Sequence, residues 1–107
     1  MKTEYINQYK SLKHLISEEL KSENIMHDKS IGAITDLLGI TVSVTDSLDE
    51  RELNNYIREC WDYMDQVAEG FIVESEYRVF LNELLEVLDD ILPNHKNPSV
   101  KEASSKP

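Results

Sequence analysis

The sequence predicts an all-α protein: an antiparallel up-down-up-down four-helix bundle followed by a disordered C-terminal tail. Three observations carry that expectation. Apolar residues recur at steps of three and four in four successive stretches, the spacing that lines one face of a helix. The chain holds three Gly and three Pro, and every Pro lies at or beyond position 93, so no proline interrupts the helical pattern before that point. The stretches are joined by only a few residues, which makes consecutive helices antiparallel neighbours.

Tyr5, Tyr9, Leu12, Ile16 and Leu20 form the first stripe and predict a helix over about residues 3–23. Ser22-Glu23-Asn24 breaks the pattern, and Asp28 or Ser30 is placed to cap a second helix carrying Ile31, Ile34, Leu37, Leu38 and Val42. Inside it, Gly39 precedes Ile40-Thr41-Val42-Ser43-Val44-Thr45, a β-branched alternation with the look of a strand. No other segment alternates convincingly, and a lone strand leaves its backbone groups unpaired, so the expectation is a helix that frays or bends near Gly39.

Ser47-Leu48-Asp49-Glu50 has the form of a capping box, with Asp46 as a rival cap, and opens the third helix. Its stripe of Leu53, Ile57, Cys60, Met64, Val67 and Ala68 ends at Gly70, a residue suited to a C-terminal cap. The fourth helix is expected to start between Val73 and Ser75. Tyr77, Phe80, Leu81, Leu84, Leu88 and Ile91 make its stripe, Leu85, Val87 and Leu92 widen it, and Pro93 stops it. At 107 residues and 40% apolar the chain is expected to be one domain, with residues 1–92 as the bundle and 93–107 as a flexible tail. A two-helix hairpin that dimerises is the structural rival, ranked lower because all four stripes are present in one chain.

Composition narrows the function. The net charge is −10, with 21 acidic residues against 11 Lys and Arg, which disfavours direct binding to nucleic acid or to an anionic membrane. One cysteine, Cys60, excludes an intrachain disulfide, and MKTEYINQYK lacks the apolar core of a secretion signal. A cytoplasmic protein without membrane spans is expected. His14, His27 and His95 share no metal-ligand spacing, and neither an EF-hand loop nor a glycine-rich phosphate cradle occurs. Cys60 sits on the core stripe with no histidine spaced to make it a thiolate. No catalytic residue, metal or cofactor is expected, and the protein is read as non-enzymatic.

The negative charge is concentrated. Residues 1–45 are almost neutral, with five Lys against six carboxylates, whereas residues 46–92 hold three Arg against fourteen carboxylates. Projection at 100° per residue puts Asp62, Asp65 and Glu69 opposite the apolar stripe of the third helix, with Arg58 beside them. Glu76, Glu83, Glu86 and Asp90 form a second ridge on the fourth helix, with Val79 among them. Like charges one turn apart repel, so helix stability does not account for the ridges. Two readings stand: a solvated face that keeps the chain dissolved, or a surface matched to a basic partner. Trp61, at the edge of its stripe, is expected either to pack on a neighbouring helix or to anchor that partner. Tyr56 and Tyr63 are expected to make bundle contacts. The residues proposed for partner binding are Trp61, Asp62, Asp65, Glu69, Glu76, Val79, Glu83, Glu86 and Asp90.

In size, charge and helix count over residues 1–92, the chain is similar to the helical immunity proteins that protect bacteria from colicins and contact-delivered toxins. A nuclease-type toxin is cationic because it holds a phosphate backbone. The charge and the likeness together lead to the expectation of an acidic binding module, an immunity protein or antitoxin, that neutralises such a basic toxin. The free chain is expected to be a monomer or weak homodimer. The alternative is a mobile-element regulator or adaptor, in one form a DNA mimic, that binds a DNA-binding protein.

Overall fold

The computed structural model describes residues 3–47 and 51–92, with side chains from Ile6 onward. The expected tail and the last three residues of the capping box lie outside the described residues. Four helices follow in order: α1 (Thr3–Lys21), α2 (Asp28–Ser47), α3 (Arg51–Ala68) and α4 (Glu74–Ile91). Contacts between them run antiparallel throughout. Gln8 of α1 donates to Thr41 of α2 while Glu19 meets Ser30, Trp61 of α3 lies on Gly39 of α2, and Tyr63 of α3 stacks near Phe80 of α4. The expected up-down-up-down bundle is therefore the fold.

The predicted stripes supply its core. Tyr9, Leu12 and Ile16 of α1, Ile31, Ile34, Leu38 and Val42 of α2, Ile57, Cys60, Met64 and Val67 of α3, and Tyr77, Leu81, Leu84 and Leu88 of α4 are all buried in one cluster. Each set repeats at three and four residues, so burying it removes a continuous apolar ridge from water at about 25 cal/mol per Å².

Helix α2 departs from expectation by running unbroken through Gly39 to Ser47. Threonine hydroxyls accommodate the β-branched run: Thr35, Thr41 and Thr45 each donate to the carbonyl four residues back, at 2.8, 2.7 and 3.1 Å. Thr41, Val42 and Thr45 also lie on the buried face, so tertiary packing overrides local strand preference. The N-cap of α2 is His27, not Asp28 or Ser30. Its Nδ1 accepts the Lys29 N–H at 3.2 Å and its carbonyl accepts the Ile31 N–H at 2.9 Å. The Ser30 hydroxyl is engaged elsewhere, with the His27 carbonyl and the Glu19 carboxylate.

Gly70 does end α3, at φ +85°, with its own N–H on Val67 and the Phe71 N–H on Gln66. This is the paired 5→2 and 6→1 pattern of a Schellman motif, which a left-handed glycine permits without steric cost. Leu92 is extended after α4, the conformation favoured before Pro93.

Two polar clusters lock the helices together. Glu19 is 4% exposed, and its Oε2 accepts from Tyr77 Oη at 2.8 Å, Ser30 Oγ at 2.9 Å and the Met26 N–H at 3.2 Å. One carboxylate thus joins α1, the α1–α2 connection, α2 and α4. Burial, and then the Glu19 carboxylate, push the Tyr77 hydroxyl well above its ordinary pKa, so it remains a donor. Asn54 is also buried and joins α3 to the end of α2. Its amide donates to the Val42 carbonyl at 3.0 Å and Thr45 Oγ1 at 2.9 Å, while its Oδ1 accepts from Arg58.

The bundle is not equally closed on all sides. The close backbone approaches are α2 with α3, α1 with α2 and α1 with α4. Across α1 and α4, Lys13 pairs with Asp89, and Arg78 reaches the Leu20 carbonyl at 3.3 Å. Helices α3 and α4 instead meet through long side chains, which leaves a groove along their seam.

Candidate functional site

Helix α3 separates two clefts, one on each flank. The α3–α4 groove is about 540 Å³ and is lined by Tyr56, Glu59, Cys60 and Tyr63 from α3 and by Ser75, Glu76, Val79, Phe80 and Glu83 from α4. Its floor is apolar and aromatic. Tyr63 and Phe80 rings lie 4.3 Å apart between centroids at 36°, a tilted pair that spans the seam. Three glutamates, Glu59, Glu76 and Glu83, stand at its edges, all exposed.

The electrostatics of the groove follow from this arrangement. Burial pushes the Cys60 thiol up to about 12, with Glu59 and Glu83 adding to the rise and a hydrogen bond from Tyr56 opposing it. Tyr56 is raised by burial and by the neighbouring Cys60, Glu83 and Glu59, and Tyr63 by burial, Glu76 and Glu83. Thiol and phenols are therefore neutral at physiological pH. The negative potential of the groove comes from its three carboxylates, and it is felt at the floor. A thiol held this far from ionisation is a poor nucleophile.

The α2–α3 cleft, on the opposite flank, is lined by Thr35, Asp36, Gly39, Ile40, Ser43, Trp61, Asp62 and Asp65. Along it the Trp61 indole lies against the α2 backbone. A Cβ at Gly39 would fall 2.9 Å from Trp61 Cζ2 and 3.2 Å from Cε2, so glycine is what admits the ring. Trp61 packs on a neighbouring helix and still keeps 38% of its surface exposed.

The structure thus brings six of the nine predicted residues into two separate places and leaves three outside both. Trp61, Asp62 and Asp65 belong to the α2–α3 cleft, and Glu76, Val79 and Glu83 to the α3–α4 groove. Glu86 and Asp90 continue the exposed ridge of α4, and Glu69 is exposed beyond the end of α3. Sequence reasoning missed Glu59, Phe80, Asp36, Gly39 and Ile40, and it assigned Tyr56 and Tyr63 to bundle contacts alone. Tyr63 does make such a contact, and both tyrosines also line the groove.

Three of the five exposed large hydrophobic residues among those described line these clefts. The exposed large hydrophobic residues among those described are Ile40 and Trp61 at one cleft, Val79 in the other, and Phe71 and Val73 in the α3–α4 connection. The ion pairs on α3 and α4 among the described residues are Lys13–Asp89 and Arg78–Glu74, and neither involves a carboxylate at the groove edges. No group of three or more His, Cys, Asp or Glu among the described residues is arranged to hold a metal ion, and no described helix is long and apolar enough to cross a membrane. The chain matches no protein-family model, and neither the curated proteins nor the solved structures compared with it include a similar one.

Proposed function

We propose that this chain is a non-enzymatic module that binds a cationic protein through the flanks of α3, and that the partner is a nuclease-type toxin whose phosphate-binding surface it covers. The observation that carries the reading is a coincidence in space. Three of the five exposed large hydrophobic residues among those described, Ile40, Trp61 and Val79, line the two clefts that flank α3 beside carboxylates, and none of the five is on α1. Carboxylates kept only for hydration do not need apolar groups among them, whereas an interface combines an apolar centre with a charged rim. A nuclease is cationic because it holds a phosphate backbone, so an acidic inhibitor gains both encounter rate and specificity against it. Anionic lipids and nucleic acids are repelled by the same surface.

The test begins with capture of a partner on the tagged chain at low salt and its release at high salt, followed by stopped-flow association at several salt concentrations. Neutralising the ridges in the variant Asp62→Asn, Asp65→Asn, Glu83→Gln and Glu86→Gln is expected to slow association about tenfold or more at low salt and to flatten its salt dependence. Stoichiometric addition of the wild-type chain is expected to abolish cleavage of DNA or RNA by that partner. Unchanged association at low salt contradicts the electrostatic part of the proposal. A captured partner that is a sequence-specific DNA-binding protein without nuclease activity favours the regulatory adaptor instead.

A further inference from the structure

Resting on that reading, we infer that the α3–α4 groove seats a basic amphipathic helix of the partner, laid along the open seam with its apolar stripe on Tyr63, Val79 and Phe80 and its cations over Glu59, Glu76 and Glu83. The α3–α4 pair is the sequential pair whose backbones stand apart, so here an added helix finds space between two existing ones. Tyr56 to Tyr63 on one wall and Glu76 to Glu83 on the other are seven-residue spans, about 10 Å or two turns each. A helix presenting apolar residues at i, i+3 or i+4, and i+7 covers that length. Val79, 58% exposed in the middle of its wall, is the side chain such a stripe would cover.

Charge selects the occupant. A second copy of this chain would set the same three glutamates against their own copies, in a molecule of net charge −10. A cationic helix pairs with them. The α2–α3 cleft, about 760 Å³, is a weaker seat because α2 and α3 pack closely beneath it, with Trp61 held over Gly39, so no open seam lets a helix in between them.

The probe is a synthetic helical peptide of about 15 Lys and Leu residues with its leucines on one stripe, compared with a peptide of identical composition whose leucines are scattered around the helix. Binding is measured by fluorescence anisotropy and mapped by amide chemical shifts on the full chain. The striped peptide is expected to bind about tenfold tighter than the scattered one, shifting amides at 56–63 and 75–83. The indole N–H of Trp61, the chain's one tryptophan, is expected to stay in place. Val79→Glu separates the two forces because it adds negative charge while removing apolar floor. Docking in the groove predicts weaker binding, by about fivefold or more, whereas attraction by charge alone predicts tighter binding. Val79→Leu is expected to retain or improve affinity, and both variants are checked for an unchanged thermal midpoint.

Equal affinity for the two peptides, or tighter binding by Val79→Glu, overturns the groove and leaves the cationic-partner proposal standing. Binding of neither peptide overturns the groove as a helix seat, and the association measurements decide the cationic-partner proposal separately. Groove amides that move on diluting the free protein would give the groove to a second copy. Movement on replacing Lys96, Lys101 and Lys106 by Gln would give it to the chain's own C-terminal residues. Either result overturns the inference.

Discussion

Replacing Tyr77 by Phe tests the buried carboxylate cluster that holds the bundle. The hydroxyl is fully buried and donates at 2.8 Å to Glu19 Oε2, an oxygen that also receives Ser30 Oγ at 2.9 Å and the Met26 N–H at 3.2 Å. Removing it deletes one donor of three and leaves the carboxylate in its 4% exposed site. A hydrogen bond to a charged group contributes about 1.5–3 kcal/mol, and the space left by a single oxygen is small, so a loss of about 2 kcal/mol is expected. For a domain of this size that lowers the thermal midpoint by about 10 °C. Urea denaturation followed by helical circular dichroism is the assay, with the slope expected to stay constant so that the change reports stability alone. Tyr63→Phe, which keeps its ring contact with Phe80, is the control and is expected to change stability by less than about 0.5 kcal/mol. A Tyr77→Phe protein within about 0.5 kcal/mol of wild type would refute the claim that this bond links α1 to α4 energetically.

Gly39→Ala gains about 1 kcal/mol of helix propensity but places a Cβ 2.9 Å from the Trp61 ring, so tryptophan emission should shift to the red while the stability gain fails to appear. Full gain with unchanged emission would contradict that packing. Asn54→Ala removes both donors to the end of α2 and is expected to cost about 2 kcal/mol in the same denaturation assay, and a cost under about 0.5 would argue against the clamp. At alkaline pH the unfolded chain ionises first, because the folded pKa of Cys60 rises from 9.0 to about 12 and that of Tyr77 lies above its ordinary 10.0. Stability should hold below pH 9 and fall as pH rises towards 12, by up to about 1.4 kcal/mol per pH unit for each group. Cys60→Ala should delay the onset by about one pH unit, and an unchanged onset would show that the thiol is not held neutral by the fold.

Much of the fold was readable because one kind of information specifies it. The recurrence of Tyr9, Leu12 and Ile16, and of Tyr77, Leu81, Leu84 and Leu88, is the helical period itself, and the same residues form the core. Where several solutions satisfy one local pattern, the reading diverged. Gly39 suggested a bend in α2, but its missing side chain serves a contact with Trp61, twenty-two residues away, that no local rule reveals. Asp28 is the commoner type of cap, yet His27 supplies the acceptor, and Ser30 turns to Glu19. Glu19 was counted among the charges of a near-neutral segment, although its position one turn past Ile16, on the core side of α1, marked it as a carboxylate to be buried with partners.

The candidate site was legible as composition and not as shape. The excess of carboxylates on α3 and α4 is a count, and the sequence displays it directly. Its division into two clefts depends on α3 packing closely on α2 while standing off from α4, which follows from how four stripes of unequal width share one core. Tyr56 and Tyr63 border the apolar stripe of α3 and Phe80 belongs to that of α4, which reads as core, and the open seam turns part of each towards the groove.

Hydrogen–deuterium exchange of the chain alone and in complex with the proposed cationic partner is the most direct test. New protection over residues 56–65 and 75–86, the segments that carry Trp61, Val79 and the carboxylates beside them, is the predicted result. Protection confined to the outer surfaces of α1 and α2, with α3 and α4 exchanging as in the free protein, would contradict it.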